Sequence, residues 1–237
     1  MPAEPSAHSA RGQLEFLANR VAAAPTVMGT SRWYTELPES SRARPAAVLL
    51  LFGVLDTLDS DHHSDAVSRD LDILLLERAS TLRLNPGQIA FPGGRVDDDD
   101  RDVVAAAVRE AEEETGLDPS GIDILGPLEA IPLAYSNYLV TPVLGWWRHP
   151  SPVGVVDEAE SAAVFRAPIA DLVDPVNRGV TVLRRDDQTW RGPGFLVGQG
   201  SEAHLVWGFT AMVLDSLLDR LGWSEPWDET RELPLSL

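Results

Sequence analysis

The sequence predicts an α/β sandwich, the class in which helices pack against a β-sheet. Residues 46–55 (AAVLLLFGVL) form a continuous apolar run, which is typical of a strand buried on both faces. Residues 102–115 and 205–221 repeat apolar side chains every three or four positions, the spacing of an amphipathic helix. Segments typical of strands are interspersed around these two helices along the chain.

Shorter segments complete the predicted sheet and its flanks. Strands are predicted at 71–78, 122–128, 130–135 and 138–147, a strand running into a short helix at 164–173, and a hairpin at 181–190 and 194–197. We assign residues 46–223 to one domain. Residues 1–45 form an N-terminal extension, partly disordered with one candidate short helix at 14–24, and residues 224–237 form a C-terminal tail.

The composition limits the functions that are open to the chain. It has 237 residues, no cysteine and a formal net charge of −18. The lack of cysteine excludes disulfides, thiolate metal sites and a cysteine nucleophile. The charge argues against nucleic acid or an anionic membrane as partner, because both attract basic surfaces. The longest apolar run is about half of the roughly 20 residues that a membrane-spanning helix needs. We therefore expect a soluble, cytoplasmic protein, and the sequence leaves its oligomeric state open.

Three carboxylates share one side of the predicted helix at 102–115. Glu110, Glu113 and Glu114 are spaced three and four residues apart, so they lie close together on a helix. Like charges in this arrangement repel one another, whereas Mg²⁺ is held by a few carboxylates together with substrate phosphates. The pattern by itself is compatible with a solvated acidic face and with a metal site.

Around this helix the sequence resembles the Nudix box, G-x5-E-x7-R-E-U-x-E-E-x-G-U, in which U is aliphatic. The second half of the box matches at seven positions: Arg109, Glu110, Ala111, Glu113, Glu114, Gly116 and Leu117. In the first half, counted from Gly94, the acidic position falls on Asp100, and one extra residue precedes Arg109. Helix anchoring and metal contact are both open for Asp100.

A second resemblance lies directly upstream. Residues 74–94 (LLLERASTLRLNPGQIAFPGG) are similar to the extended signature of the coenzyme A pyrophosphatase branch of Nudix hydrolases. That signature runs roughly L-L-T-x-R-S-x-x-L-R-x-H-x-G-Q-x-x-F-P-G-G, and the branch commonly carries the same one-residue extension in the box. Weaker similarity to the branch continues at 136–143 and 206–211.

The resemblance implies an α/β/α sandwich with a mixed β-sheet, in which the box forms a loop–helix–loop. It also implies a hydrolase that uses Mg²⁺ or Mn²⁺ to cleave a small-molecule diphosphate. Carried onto this sequence, the resemblance implies Glu110 and Glu114 as direct metal ligands with the carbonyl of Gly94, and Glu113 either as an additional ligand or as a residue that supports the ligands without touching the metal. Glu113 and Glu114 are also the catalytic residues of the box, and Arg109 orients a glutamate by a hydrogen bond.

Charged and polar residues outside the box complete the predicted site. Glu160, in an acidic loop, is the candidate general base, and a surface acid is the alternative interpretation. The resemblance places Arg78, Arg83, Asn85 and Gln88 beside the substrate. Arginine forks fit phosphate oxygens, so Arg78 and Arg83 are expected to bind phosphate unless they form structural salt bridges.

Two departures from the extended signature concern the choice of substrate: Leu76 replaces its threonine and Asn85 its histidine. The resemblance implies cleavage of coenzyme A to 4'-phosphopantetheine and adenosine 3',5'-bisphosphate. The alternatives are hydrolysis of ADP-ribose, a dinucleotide or a nucleotide sugar, and a non-catalytic binding module of the same fold. His62 and His63, neighbours in an acidic loop, are expected to be solvent-exposed rather than metal ligands.

Overall fold

The computed structural model describes residues 9–24, 43–54, 62–82, 84–133, 136–185, 188–198 and 203–235. Its α-helices are α1 (Ala10–Ala23), α2 (Val103–Thr115), α3 (Ile169–Val173) and α4 (Gly208–Leu221). Its strands are β1 (Arg44–Val54), β2 (Leu71–Arg78), β3 (Ile89–Ala90), β4 (Gly93–Arg95), β5 (Ile122–Pro127), β6 (Ile131–Leu133), β7 (Tyr138–Trp147), β8 (Ser161–Pro168), β9 (Arg178–Arg185), β10 (Gln188–Val197), β11 (His204–Val206) and β12 (Glu232–Leu233). None of the described helices is long and apolar enough to cross a membrane.

A mixed eight-stranded sheet forms the centre of the structure, which confirms the predicted fold class. Its main path runs β3-β2-β1-β7-β5, with β4 paired to β1, β6 to β7 and β8 to β2. β1 and β7 are parallel, and the other pairs in this sheet are antiparallel. On the side away from β7, β1 has two successive neighbours: β2 pairs with its residues 52–54 and β4 with its residues 46–48.

Alternate side chains of β1 enter two cores on opposite faces of the sheet. Ala47, Leu49 and Leu51 pack with α2, whereas Leu50 and Phe52 pack with residues of α1 and α4. All five side chains are fully buried. A strand that is covered by helices on both faces needs apolar residues at every position, and this explains its continuous apolar sequence.

A second sheet, of four strands in the order β11-β10-β9-β12, corrects one prediction. The helix predicted at 205–221 begins only at Gly208, because residues 205 and 206 pair with β10 as part of β11. Gly208 has a φ of 66°, so the chain turns sharply between strand and helix. β9 and β10 form the predicted hairpin, and residues 186–187 of its turn lie outside the described residues.

Elements from both flanks of the predicted domain pack onto it. In α1, Leu14 is buried in the same core as Phe52 and Trp223. The indole N–H of Trp223 donates a hydrogen bond to Gln13 at 2.8 Å. In the tail, β12 pairs in parallel with β9. Residues 1–8 and 25–42 of the predicted extension lie outside the described part of the chain.

Candidate active site

The helix that carries the glutamates, α2, begins and ends on local signals. Asp102 caps its N-terminus by accepting a hydrogen bond from the Ala105 N–H at 2.8 Å. Gly116 ends it in the left-handed conformation, with a φ of 70°. The helix face toward the sheet carries buried alanines at positions 106, 107 and 111. These small side chains let the helix approach the sheet closely, which brings its glutamates to β4.

Two glutamates of α2 meet the two glycines of β4. The carboxylate of Glu110 lies against Gly94, where an added Cβ would overlap the carboxylate oxygens. The carboxylate of Glu114 accepts a hydrogen bond from the Gly93 N–H at 2.8 Å. Gly93 has a φ of 156°, and a Cβ there would overlap the carbonyl oxygen of Ala47. Close approach of other groups therefore requires glycine at both positions.

The register of β1 and β4 determines where the carbonyl groups of β4 point. Hydrogen bonds join residue 96 to residue 45 and residue 49 to residue 92, at 3.1 and 2.8 Å. Bonded and non-bonded pairs alternate in an antiparallel ladder, so the Gly94–Ala47 pair between them is a bonded pair. The carbonyl of Gly94, the predicted backbone ligand, therefore points to β1. Gly93 instead directs its N–H and its carbonyl away from β1, on the side of Glu114.

The two carboxylates are partly buried and repel each other, and Arg109 and Arg78 offset only part of this cost. Burial is the main cause that raises the pKa of Glu114 to about 7; the Gly93 N–H and Arg78 act against this rise, whereas the charges of Glu110 and Glu160 add to it. Burial also raises the pKa of Glu110. A divalent cation favours the charged form of such a pair, so these oxygens fit Mg²⁺ or Mn²⁺.

Arg109 ties the acidic turn before α2 to the helix. Its guanidinium donates to both carboxylate oxygens of Asp100, at 3.0 and 2.9 Å, and lowers the pKa of that carboxyl group. The same guanidinium donates to Glu110 at 3.1 Å and to Glu113 at 2.9 Å. Asp100 is thus the anchor of the helix, and the extra residue in the box does not prevent this contact.

The structure brings Glu110 and Glu114 together at β4 and holds Glu113 on Arg109. The Glu113 side chain is 59% exposed. Among the described residues, no three metal-type side chains lie close enough to hold one ion together. Two of the three predicted carboxylate ligands, Glu110 and Glu114, thus lie at β4, whereas Glu113 does not.

Glu160 lies beside Arg78, on the turn that precedes β8. The Glu160 carbonyl accepts a hydrogen bond from the Ala79 N–H at 2.9 Å, and the Glu160 N–H donates to Asp157 at 3.1 Å. Its side chain is exposed. The charge of Arg78 lowers the pKa of Glu114 and the charge of Glu160 raises it. Glu160, the predicted base, and Arg78, a predicted substrate residue, therefore lie within electrostatic range of Glu114.

Asn85 and Gln88, two of the predicted substrate residues, lie between β2 and β3, next to Arg78 at the end of β2. The Arg78 N–H donates to the Gln88 carbonyl, and the Gly87 N–H donates to the Arg78 carbonyl, both at 3.0 Å. The buried Nε of Arg78 has no hydrogen-bond partner among the described residues. Asn85 has a φ of 53°, in the left-handed region where Asn and His are both enriched. Arg83 lies outside the described residues.

His62 corrects the expectation of solvent exposure, since its side chain is only 20% exposed. Its Nδ1 lies 3.5 Å from Asp174 and its Nε2 lies 3.0 Å from Glu225. Carboxylates next to both ring nitrogens suit ion pairs rather than one shared metal ion. His63 is exposed, as expected.

Comparison with known proteins shows which family the chain resembles. Residues 62–133 match the family model described as NUDIX domain. The protein named Nudix hydrolase 15, mitochondrial, of Arabidopsis thaliana is 35% identical over 151 residues, which are 61% of this chain and 51% of that protein. The chain therefore matches about half of the length of that relative. The protein named uncharacterized Nudix hydrolase NudL of Escherichia coli O7:K1 is 37% identical over 153 residues, 63% of this chain and 75% of that protein.

Solved structures of the same family also align with the chain. A binary complex of the Ap4A hydrolase of C. elegans is 21% identical, with a TM-score of 0.41 over 54% of this chain and 83% of that one. The family model and the sequence relatives define an enzyme of the Nudix type. The chain belongs to the Nudix hydrolase family. Nudix hydrolases generally use divalent metal ions.

Proposed function

We propose that this protein hydrolyses the diphosphate of coenzyme A or its derivatives, with Mg²⁺ or Mn²⁺, to 4'-phosphopantetheine and adenosine 3',5'-bisphosphate. The observation that carries the proposal is the convergence of two partly buried carboxylates, Glu110 and Glu114, on the two glycines of β4. Burial raises the pKa of both, so their ionised forms are costly without a cation. A bound divalent cation supplies neutralisation of phosphate charge and a lowered pKa of a water molecule.

The groups that we assign to hold the cation are Glu110, Glu114 and the carbonyl of Gly93. Gly93 takes the place of Gly94 in this assignment, because strand pairing engages the Gly94 carbonyl with β1. Glu113 would have to leave Arg109 before it could bind an ion, so we place it outside the direct ligands. Arg109 acts as the positioning residue for Glu110.

Glu160 is the proposed general base, which accepts a proton from the attacking water. Three observations support this role. The Glu160 charge raises the pKa of Glu114, and the Glu160 carbonyl accepts a hydrogen bond from the Ala79 N–H. The exposed Glu160 carboxylate makes no hydrogen bond to another described residue. A base must be able to reach the water, and a carboxylate that is already engaged in ion pairs could not do so.

Arg78 is the proposed contact to the substrate diphosphate. Its guanidinium opposes the rise of the Glu114 pKa, so it lies close enough to the carboxylate pair to attract an anion bound there. The loop that closes on Arg78 positions Gln88 and Asn85 along the same edge. Arginine forms strong charge-assisted hydrogen bonds to phosphate, which suits a chain of net charge −18 that needs local cations.

The two departures from the extended signature do not argue against coenzyme A. Leu76 is 1% exposed and pairs with Ala90 between β2 and β3, so it fills the interior of the fold. Asn85 adopts a left-handed conformation that His tolerates equally. The departures therefore concern packing and turn geometry, and neither removes a group that the proposed diphosphate contact needs.

A product assay tests the proposal directly. Coenzyme A, ADP-ribose and NADH are supplied side by side with Mg²⁺, with Mn²⁺ and with a chelator. We expect 4'-phosphopantetheine to be the fastest metal-dependent product. Faster cleavage of ADP-ribose or NADH would show that the preferred substrate is another diphosphate and not coenzyme A. Glu110→Gln and Glu114→Gln should each remove most turnover, whereas Glu112→Gln, the same change on the exposed side of α2, should retain it.

A further inference from the structure

Arg44 and Arg95 are two exposed arginines that form no ion pair with a carboxylate of the described residues. Other arginines of this acidic chain do form such pairs, among them Arg11, Arg109, Arg148, Arg178, Arg191 and Arg220. Within the described residues, no carboxylate therefore neutralises the positive charge of the first two. A ligand with negative charge is the natural partner of such a pair.

The guanidinium of Arg44 is held in place without losing its charge. It lies over the ring of Tyr138, with its central carbon 4.4 Å from the ring centroid, and its Nη2 is 3.4 Å from the Ser136 carbonyl oxygen. This contact follows from the parallel register of β1 and β7, in which Arg44 is paired with Tyr138. Stacking occupies the face of the guanidinium and leaves N–H donors in its plane for an anion.

Arg95 lies on the same face of the sheet as Arg44. Gly94 presents its Cα hydrogens to Glu110 on the α2 side, and successive residues of a strand alternate in direction, so Arg95 faces away from α2. Arg95 is paired with Ala46, and Arg44 is therefore its diagonal neighbour. The Cα atoms of diagonal neighbours are about 7–8 Å apart. Arg44 reaches over Tyr138 on the β7 side of β1 and Arg95 projects from β4 on the other side, so a phosphate bound by both arginines would lie over β1.

The arginine pair lies on the face of the sheet opposite α2, whereas the carboxylate pair meets β4 from the α2 side. Within the described residues, β4 pairs with β1 alone, and its other edge carries the Gly93 N–H that meets Glu114. A ligand that passes over this edge would reach Glu110 and Glu114 on one side and both arginines on the other. A ribose with phosphate groups on its 5' and 3' oxygens has this extended shape.

We propose that Arg44 and Arg95 bind the 3'-phosphomonoester on the ribose of the substrate. This inference rests on the proposed function, since coenzyme A carries that phosphate whereas ADP-ribose and NADH lack it. The arginine pair would then select for coenzyme A among compounds that share the adenosine diphosphate. It is a specificity site and takes no part in the cleavage of the diphosphate.

Binding of two nucleotides tests the site without metal and without turnover. Calorimetry compares adenosine 3',5'-bisphosphate with adenosine 5'-monophosphate, which lacks only the 3'-phosphate. We expect wild type to prefer the bisphosphate, and Arg44→Gln and Arg95→Gln each to reduce the preference about tenfold, the size of one charge-assisted contact. Arg184→Gln, an exposed arginine of β9, is the matched control and should keep the wild-type preference.

Steady-state turnover provides a second test of the arginine pair. The ratio of kcat/KM for coenzyme A to that for its 3'-dephosphorylated form should fall in both variants, through KM. If coenzyme A is cleaved while the double variant keeps the wild-type preference in both arms, the phosphate site is refuted and the proposed function stands. If coenzyme A is not cleaved but the double variant loses the preference for the bisphosphate, the proposed function fails and the anion site stands.

Discussion

Substitution of Glu114 by glutamine is expected to stabilise the metal-free protein at pH 8. The pKa of Glu114 is raised from 4.5 to about 7, mainly by burial. A carboxyl group with a raised pKa favours folding while it is protonated, and this contribution is lost as the pH rises from 4.5 through 7. At pH 8 the shift of the pKa from 4.5 to about 7 lowers the free energy of unfolding by about 3 kcal/mol, because one pKa unit is worth about 1.4 kcal/mol.

Glutamine has the shape of the protonated acid and still accepts the hydrogen bond from the Gly93 N–H. Glu114→Gln should therefore raise the melting temperature at pH 8, in the presence of a chelator, by on the order of 5–10 °C. The gain should shrink toward zero at pH 5, where the folded wild type is already protonated at this site. Glu112→Gln, on the exposed side of the helix, should match wild type at both pH values.

Adding Mg²⁺ should reverse the order of the melting temperatures, so that wild type becomes more stable than Glu114→Gln. Wild type gains stability from a cation that binds only its folded state, whereas the glutamine variant has lost a ligand. Thermal unfolding with and without Mg²⁺ measures both effects on the same samples. Equal melting temperatures of wild type and Glu114→Gln at pH 8 without metal, or a gain that does not depend on pH, would show that the pKa of Glu114 is not raised by burial.

Three further predictions concern other parts of the chain. Gly94→Ala should lower turnover at least tenfold with little change in melting temperature, because its Cβ would push the Glu110 carboxylate out of place; steady-state kinetics with Mg²⁺ measure this. Arg178→Met should cost about 3–5 kcal/mol in urea unfolding, because it leaves Asp215 buried without its cation, and a second change, Asp215→Leu, should restore most of the loss. Asn85→His should keep the activity on coenzyme A within about threefold, whereas Asn85→Val, which is strained at a φ of 53°, should lose stability in thermal unfolding.

The sequence predicted those elements whose signals are local. The helix α2 spans Val103–Thr115, within one residue of the prediction, because its apolar period, the cap Asp102 and the stop at Gly116 all lie inside one short segment. The start of α4 could not be found in this way. Residues 205 and 206 fit a helical period, but they pair with β10, a contact that the local sequence period does not display.

The candidate site shows the same division. The grouping of Glu110 and Glu114 follows from helical spacing, which the sequence displays directly. The direction of a carbonyl at Gly93 or Gly94 depends on hydrogen-bond register with β1, which two adjacent glycines do not reveal. The attachment of Glu113 to Arg109 is likewise a choice of side-chain partner, and spacing alone allows either outcome.

The short connection between β3 and β4 has a consequence for how relatives of this chain can diverge. Only Phe91 and Pro92 separate the two strands, and the Pro92 carbonyl is bonded to the Leu49 N–H. An insertion here would shift the glycines out of register with the glutamates, so this segment can change its residues but not its length. The acidic turn before α2 is different, because Asp100 still reaches Arg109 across an extra residue. Length variation should accumulate on that turn, and changes of substrate on the loop ahead of β3.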